Sequence, residues 1–434
     1  MLAKMMRSTA LALVLLLVAA CGGGGDSSSS GSEGGAAEQT SGPIEIWYSN
    51  NAQEIEWAQA QVDAWNDEHP DQQVTAQEIP AGDTSEEVIT AAITAGNAPC
   101  LIYNTSPAAV PAFQRQGGLV ALDEFDGAVD LVRERSGDVV DQYTSSDGKL
   151  YQLPWKANPV MIIYNKELFE QAGIDPDDPP LATYDEFHET ARQLVENTDV
   201  RAAIYPAPTS QFFQSWFDFY PLFAAETGGT QLVEDGQAQF TGDAGIAVAE
   251  FWRSLYEDGL APREEAQGDS FAEGVTAMNT AGPWAVSVYT DIDWGVVPPP
   301  TSEGTPPDEI WTFSDVKSVG LYTACENQAT AWEFLEFTMS EEADRALLET
   351  TGQMPVRTDL TDTFSDFFEE NPQYEVFADQ TSRIVEVPVV PNSIEVWQTF
   401  RDAWTGAVIF GDNEIEPALQ GAADEIDPLV GEGG

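Results

Sequence analysis

The sequence is short of cations. Of its 434 residues, 17 are Lys or Arg and 74 are Asp or Glu, so the formal net charge is −57 at pH 7. A surface of this sign repels nucleic acid and anionic lipid headgroups, which excludes both as binding partners. The acids are scattered along the chain and indicate a solvated acidic coat rather than an acidic tail. We interpret this coat as adaptation to a saline habitat, and a merely acidic lineage is the alternative.

Metal ligands, long apolar runs and common catalytic motifs are also scarce. His69, His188 and the three Cys show no zinc-ligand spacing. Beyond the N-terminus, no stretch is long and apolar enough to cross a membrane, which takes about 20 residues. The sequence has no G-x-S-x-G elbow, no Walker loop and no H-E-x-x-H helix. We therefore expect no cofactor, no metal and no catalytic residue.

The N-terminus has the pattern of a secretory signal. Lys4 and Arg7 precede an apolar run that ends in small residues at Ala20, and Cys21 follows at once. This order resembles the bacterial lipobox, so we predict a signal peptide at 1–20 and a lipidated Cys21 that holds the protein on the outer face of the cell membrane. An ordinary signal with a nearby cleavage site is the alternative. Residues 21–42 are rich in Gly and Ser and predict a flexible tether.

The mature chain would have 414 residues (434 minus 20) and a net charge of −59 (−57 less two cations). That length fits two domains. If Cys21 carries lipid, Cys100 and Cys325 remain, an even number in an oxidising compartment. A disulfide between them and two separate buried thiols are both open at this point.

Short apolar strands alternate with amphipathic helices, which predicts α/β layers. A capping box at Thr183 and Glu186 marks the start of one helix. The Pro and Gly residues of 298–307 indicate a crossing between domains. The predicted strands are 44–48, 74–79 and 101–103, and the predicted helices include 54–68, 86–95, 329–338 and 396–408.

Several segments that are weak alone occur together in a fixed order. They are Ala95-Gly96-Asn97-Ala98-Pro99, Gln116-Gly117-Gly118-Leu119-Val120, Gly148-Lys149-Leu150-Tyr151-Gln152-Leu153-Pro154, Ile163-Tyr164-Asn165-Lys166-Glu167-Leu168-Phe169, Gly282-Pro283-Trp284, Ala331-Trp332-Glu333-Phe334-Leu335 and Pro355-Val356-Arg357. With them the chain resembles the bacterial extracellular solute-binding proteins of family 1, the sugar-binding lipoproteins of ABC importers. The resemblance covers nearly all of residues 44–430, and Cys100 departs from it where the family usually has Asp.

This resemblance implies an α/β, two-lobed periplasmic-binding-protein-like fold of type II, with a hinge that the chain crosses about three times. We expect lobe 1 at 43–156 and 300–357, and lobe 2 at 157–299 and 358–434. A ligand would bind in the cleft, and the lobes would close over it and present it to the membrane permease subunits. Both Cys100 and Cys325 map to lobe 1 beside strand ends, which favours the disulfide. We expect a monomer.

A neutral sugar needs flat aromatic rings for its C–H faces and polar side chains for its hydroxyls. The resemblance implies that Trp284 and Trp397 stack on the sugar, and Arg401 lies one turn after Trp397 on the same helix face. Most of the remaining ligand-binding candidates follow predicted strands or flank the hinge crossings. Trp216 and Phe217 lie in lobe 2 where the family often contributes an aromatic residue, and Arg357 follows Pro355-Val356. The remaining candidates are Asn50, Asn51, Gln53, Glu54, Asn104, Thr105, Ser106, Trp155, Asn158, Trp216, Phe217, Trp311, Ser314 and Arg357.

Three other functions are alternatives. A secreted glycosidase needs a pair of carboxylates, but with 74 acids such pairs arise by chance. A surface adhesion protein would have repeats, which this chain lacks. A binding protein for a polyol, a polyamine or a phosphorylated glycerol is the nearest alternative, and few cations argue against an anionic ligand.

Overall fold

The computed structural model describes residues 40–49, 51–81 and 84–431. The predicted signal peptide, Cys21, the tether up to residue 39 and Asn50 lie outside these ranges. In the described part of the chain, helices with the length and apolar character of a membrane span are absent.

The fold alternates strands and helices along the chain. The strands are β1 (Ile44–Tyr48), β2 (Val74–Glu78), β3 (Leu101–Thr105), β4 (Leu153–Ala157), β5 (Met161–Asn165), β6 (Ala202–Ile204), β7 (Val233–Glu234), β8 (Gln237–Ala238), β9 (Thr276–Ala281), β10 (Trp294–Val297), β11 (Thr312–Phe313), β12 (Lys317–Leu321), β13 (Met354–Pro355) and β14 (Ile384–Val385). The helices are α1 (Ala52–Glu68), α2 (Ser85–Ala95), α3 (Val110–Arg115), α4 (Ala128–Ser136), α5 (Lys166–Ala172), α6 (Tyr184–Asn197), α7 (Phe219–Thr227), α8 (Asp243–Glu257), α9 (Trp284–Val288), α10 (Gln328–Thr338), α11 (Glu341–Thr351), α12 (Leu360–Thr363), α13 (Ser365–Glu370), α14 (Glu375–Gln380), α15 (Ser393–Trp404) and α16 (Ile415–Gly431).

Local signals in the sequence set several of these boundaries. The predicted capping box begins α6: the Thr183 side chain accepts from the Glu186 amide, and the Glu186 carboxylate accepts from the Thr183 amide. Gly96 ends α2 with a φ of 69°, in the left-handed region that glycine adopts without a Cβ penalty. The predictions for these two boundaries are confirmed.

Lobe 1 is built on a six-stranded sheet with the order β13-β4-β12-β3-β1-β2. Strand β1 is parallel to β2 and β3, whereas β12 is antiparallel to β3 and β4. Helices α1, α10 and α11 contribute Trp57, Trp65, Phe334 and Leu347 to one hydrophobic core with this sheet. The sheet therefore brings the ends of β1 and β3 side by side, where polar residues follow both strands.

Lobe 2 is built on a four-stranded sheet with the order β10-β5-β9-β6. Its core joins the buried faces of α6, α7, α8, α15 and α16. Trp252, Trp397 and Trp404 are among its largest fully buried side chains. Much of the chain's Trp content is thus core rather than surface.

In the part of the chain that the structure describes, three segments connect the lobes. The first follows β4, the second runs through β11 to Lys317 at the start of β12, and the third is β14. Strand β11 is parallel to β14, and Pro159 bridges to Ser314. These pairings hold the three segments together as one hinge.

Two of the predicted lobe boundaries differ in the structure. Residues 300–311 stay with lobe 2, because Thr301 bridges to Thr183 and the Ser302 amide donates to Glu226. Helices α12–α14 pack into the core of lobe 1, and the passage to lobe 2 falls between Ile384 and Val385. The second and third crossings therefore come later in the chain than 300 and 357.

A disulfide joins Cys100 to Cys325. Cys100 directly precedes β3, and Cys325 follows β12, its antiparallel neighbour. The Tyr322 amide donates to the Cys100 carbonyl at 3.0 Å, which continues the pairing to the end of the sheet. The bridge therefore links two adjacent elements across 225 residues of sequence.

Candidate functional site

A cavity of about 440 Å³ lies between the lobes. Lobe 1 supplies small hydroxyl-bearing and acidic side chains, lobe 2 supplies mainly aromatic rings, and the hinge supplies an ion pair. The lining residues are Thr84, Ser85, Glu86 and Ser106 from lobe 1, Gln211, Phe212, Phe213, Trp216 and Phe217 from lobe 2, and Asp315 and Lys317 from the hinge. We refer to this space as the cleft.

The lobe 1 wall of the cleft is polar and has unsatisfied hydrogen-bonding capacity. Ser106 lines the cleft, and its Oγ is buried with no hydrogen-bond partner among the described residues. Asn104 lines an adjoining cavity of about 200 Å³ together with Ser49, Thr84 and Ser85, and its Oδ1 is likewise unpartnered. Asn104 has a φ of 67°, a strained conformation for a residue with a side chain. Buried polar atoms normally have partners, so these two oxygens are candidates for ligand contact.

The lobe 2 wall is aromatic and two rings deep. Trp216 ends the 3₁₀ segment Phe212–Trp216, Phe217 follows it directly, and both line the cleft. Behind them, Trp216 packs edge to face on Trp397 at 5.9 Å, and Phe217 packs edge to face on Trp284 at 6.3 Å. The indole Nε1 of Trp216 is buried without a partner among the described residues. The wall thus offers the flat apolar faces of its rings together with the indole N–H of Trp216 as a hydrogen-bond donor.

For Trp397 and Arg401 the structure corrects the prediction. Trp397 has no exposed surface, because its helix α15 lies inside the core of lobe 2. Arg401 is also fully buried: Nη1 pairs with Asp218 Oδ2 at 2.5 Å, and Nε donates to the Thr209 carbonyl at 2.8 Å. Arg401 therefore anchors the loop that leads to the aromatic wall, and it does not reach the cleft.

Trp284 is half-buried and supports the wall from behind. It begins α9, and its ring lies over Gly282, where a Cβ would collide with the indole. Its contact is with Phe217 rather than with the cleft itself. Its predicted role as a stacking ring stays a prediction.

Asn51 and Glu54, two of the candidates that follow β1, serve the structure of lobe 1. Asn51 caps α1, with Oδ1 accepting from the amides of Gln53 and Glu54. Glu54 is buried, forms an ion pair with Lys156 and accepts from Gln353 Nε2 at 2.8 Å. Burial opposes its charge, but the Lys156 ammonium and these hydrogen bonds lower the pKa of Glu54 below its usual value. This carboxylate is therefore engaged within lobe 1, and its predicted role in ligand binding stays a prediction.

The hinge candidates and Thr105 are packed within the protein, and their predicted roles in ligand binding stay predictions. Trp155 lies in the core of lobe 1, with its ring 5.0 Å from Trp57. Ser314 Oγ accepts from the Asn158 amide at 3.0 Å, and Asn158 Nδ2 donates to the Asp315 carbonyl at 3.0 Å. Thr105 is buried, and its hydroxyl donates to the Ile102 carbonyl.

Trp311 and Arg357 line a different cavity, of about 580 Å³, beside α12 and α14. Trp311 packs over Gly229, and Arg357 Nε donates to Asp344 at 2.9 Å. The predicted set therefore divides: Ser106, Trp216 and Phe217 meet in the cleft and Asn104 adjoins it, whereas Trp311 and Arg357 lie elsewhere.

Four residues that line the cleft are not among the predicted site residues: the charged Asp315 and Lys317 and the aromatic Phe212 and Phe213. Asp315 and Lys317 follow the candidate Ser314 by one and three residues, and alternation along an extended chain places both on one face. Phe212 and Phe213 precede Trp216 in the same segment. Burial opposes the charge of Lys317, but Asp315 raises its pKa above the usual value, with Glu86 and Glu386 adding to the effect. In the described ranges, no group of three or more His, Cys, Asp or Glu has the arrangement of a metal site.

The lobes also touch beside the cleft. Arg115 Nη2 donates to Asn392 Oδ1 at 3.0 Å. Ile394 of lobe 2 packs against the lobe 1 cluster that contains Val110 and Phe113, and Ala108 of lobe 1 joins the core of lobe 2. We call this contact the mouth.

Comparisons with known proteins agree with this architecture. The chain is 25% identical over 286 residues to the diacetylchitobiose binding protein DasA of Streptomyces coelicolor, an alignment that covers 62% of this chain and 63% of DasA. It is 24% identical over 336 residues to the maltotriose-binding protein of Pyrococcus abyssi, covering 75% and 68% of the two chains. The chain thus spans just under two thirds of the length of the Streptomyces relative.

Solved structures establish the fold. The crystal structure of the cyclic alpha-maltosyl-1,6-maltose binding protein from Arthrobacter globiformis superposes with a TM-score of 0.77 at 21% identity, covering 91% of this chain and all of the other. This confirms the predicted two-lobed fold. A family model described as "Bacterial extracellular solute-binding protein" matches residues 60–376. The chain therefore belongs to the bacterial extracellular solute-binding proteins.

Proposed function

We propose that this protein captures a neutral sugar in the cleft and delivers it to the permease subunits of an ABC importer. In this proposal the protein is a monomeric binding protein without enzymatic activity. It is held at the outer face of the cell membrane through a lipid on Cys21.

The observation that carries the proposal is the pairing of an aromatic wall with unpartnered polar atoms across one cleft. Trp216 and Phe217 offer flat rings to the C–H face of a pyranose. The hydroxyl of Ser106, the amide oxygen of Asn104 and the indole Nε1 of Trp216 can bond to sugar hydroxyls. A buried apolar ligand would leave these polar atoms unsatisfied, which costs about 1–3 kcal/mol each.

Two further observations support the proposal. The related proteins are named for saccharides, namely diacetylchitobiose and maltotriose. The cleft also has acids beside its lysine, so an anionic solute would meet Glu86 and Asp315 there. A phosphorylated glycerol is therefore the weaker ligand class.

A thermal-shift screen of the mature protein tests the ligand class. The panel holds diacetylchitobiose, maltotriose, other di- and trisaccharides, a polyol, spermidine and glycerol 3-phosphate. A ligand that binds the native state raises the melting temperature, and we expect this from at least one saccharide. Stabilisation only by spermidine, the polyol or glycerol 3-phosphate would contradict the sugar assignment. Product formation from the bound saccharide would contradict the assignment as a binding protein.

Phe217→Ala tests the cleft itself. Loss of its ring should weaken saccharide binding by about 1–3 kcal/mol, measured by calorimetric titration, because the stacking surface is removed. Phe217 is partly exposed, so the melting temperature should change little. Phe410→Ala is the matched control, since Phe410 is an exposed aromatic of lobe 2 that does not line the cleft. Equal affinity in both variants would remove Phe217 from the site.

A further inference from the structure

The cleft contains an ion pair that the ligand assignment above does not use. Lys317 Nζ lies 2.6 Å from Asp315 Oδ1, and both side chains line the cleft. Their side chains are 21% and 16% exposed, whereas the intervening and preceding hinge residues, Val316 and Ser314, are buried. The pair is therefore the charged group that the hinge presents to the ligand.

This placement is notable because lysine is rare in the chain. Lys149, Lys156, Lys166 and Lys317 are the lysines that follow the predicted signal peptide. Lys156 is buried in its pair with Glu54. Among the described residues that line the cleft, Lys317 is the one cation.

The ion pair leaves hydrogen-bonding capacity on both partners. An ammonium has three donors, and a carboxylate has about four acceptor sites, of which the contact between them uses one each. Two adjacent hydroxyls fit this arrangement, since one can donate to Asp315 while its neighbour accepts from Lys317. Charge-assisted hydrogen bonds of this kind are roughly twice as strong as neutral ones.

We propose that Asp315 and Lys317 form a subsite for the vicinal diol of a neutral saccharide, placed beside the aromatic rings of Trp216 and Phe217. This inference rests on the proposed function and adds the chemistry that selects the ligand. Glu86 also lines the cleft, and the fully buried Glu386 lies close enough to act on the charge of Lys317. The lysine is therefore already balanced by acids, so the subsite favours uncharged diols over sugar acids.

Calorimetric titration of paired variants tests the subsite. Wild type is titrated with maltotriose and diacetylchitobiose, and with any other saccharide that the screen selects. Asp315→Asn and Lys317→Met should each raise the Kd by about tenfold or more, because each removes a charged partner of a ligand hydroxyl. Lys166→Met and Asp177→Asn are the controls, since that ion pair lies in lobe 2 outside the cleft. A Kd within about twofold of wild type in both cleft variants would overturn the subsite.

Amine modification gives a second readout that does not depend on variants folding. Wild type is methylated reductively with and without saturating saccharide, and each lysine is followed by peptide mass spectrometry. We expect the saccharide to slow modification of Lys317 and to leave Lys149 and Lys166 unchanged. Unchanged modification of Lys317 at saturation would overturn the subsite while the sugar-binding proposal stands. If wild type binds no saccharide at all, the proposed function fails and the subsite falls with it.

Discussion

At the scale of single residues, Glu386 is the most unusual side chain in the hinge. It is fully buried directly after β14, and both lobes hold its backbone: Gln142 Oε1 accepts from its amide, and Tyr220 donates to its carbonyl at 2.7 Å. Tyr143, Asp315 and Lys317 are the ionisable groups that act on its carboxyl. Burial raises the pKa of Glu386 well above its usual value, and the Tyr143 hydroxyl lowers it only in part.

The raised pKa predicts a pH dependence of stability. Between about pH 4.3, the ordinary value for Glu, and its native pKa, Glu386 binds more protons in the folded than in the unfolded state. Its contribution to stability is therefore fully present below that ordinary value and is lost as the pH rises through the native pKa. Glu386→Gln cannot ionise, whereas the wild type must take up a proton or bury a charge when it folds at pH 7. The variant should therefore be the more stable of the two at pH 7, by on the order of 1 kcal/mol or more, since a pKa shift of one unit corresponds to about 1.4 kcal/mol.

Denaturant unfolding of both proteins at a series of pH values from 4 to 7 measures this difference. The gap between variant and wild type should shrink steadily as the pH falls. A gap that is constant across the series would contradict the assignment of the effect to Glu386. Comparing the two proteins at each pH cancels the titration of the acidic surface, which both share.

Single residues of the cleft differ in how well the sequence identifies them. Ser106, Trp216 and Phe217 were predicted and do meet in the cleft, because polar or aromatic residues placed after strands and before a core helix have few other positions. Trp397 and Arg401 were mispredicted because helix α15 buries its faces on more than one side. A sequence shows the helical spacing of Val396, Phe400 and Trp404, but it does not show that the adjacent ring of Trp397 is covered by Trp216 and Tyr220.

At the scale of elements, the disulfide fixes one edge of the β3–β12 pair. The loop between Cys100 and Cys325 spans 225 residues and contains most of lobe 2. Closing so long a loop removes much conformational freedom from the unfolded chain, and this is the main source of its stabilisation in the chain-entropy description.

Replacing both cysteines by serine should therefore lower the free energy of unfolding by about 2–5 kcal/mol. Denaturant unfolding of oxidised wild type, reduced wild type and the Cys100→Ser/Cys325→Ser variant measures the loss. The reduced wild type is the control and should resemble the variant. Equal stability of variant and oxidised wild type would contradict a stabilising role for the bridge.

The sequence does not show which lobe helices α12–α14 belong to. Phe364, Phe367 and Phe377 mark them as amphipathic, but hydrophobic spacing does not state which of two cores receives a helix. The structure places them in lobe 1 and moves the third crossing to residues 384 and 385. The strands and longer helices were easier to predict, since each carries its own caps and periodicity.

At the scale of the whole molecule, charge is the dominant feature. A net charge of −57 makes the compact state repel itself, and much of that repulsion acts through solvent between exposed carboxylates. Ion pairs offset little of it: several, such as Arg201 with Glu264, are largely exposed and contribute at most about 1 kcal/mol each.

Salt should therefore stabilise the protein. Between about 0.01 M and 1 M NaCl the Debye length falls from about 30 Å to about 3 Å, which screens the repulsion. We expect the melting temperature to rise by several degrees over this range in scanning calorimetry. Sodium bromide at matched, low ionic strength is the control. Screening depends on ionic strength and not on the identity of the ion, so both salts should shift the melting temperature equally there. An unchanged melting temperature would contradict the interpretation of a saline adaptation.

The mouth affects the residence time of a solute in the cleft. The hydrogen bond between Arg115 and Asn392 in the mouth is exposed to solvent, and such a bond contributes only about 0.5–1.5 kcal/mol. The need to break this hydrogen bond slows the escape of a bound solute by roughly tenfold at most. The dwell time of a captured solute then depends on its own contacts with the cleft and on the apolar contacts of the mouth, where Ile394 packs against the cluster of Val110 and Phe113.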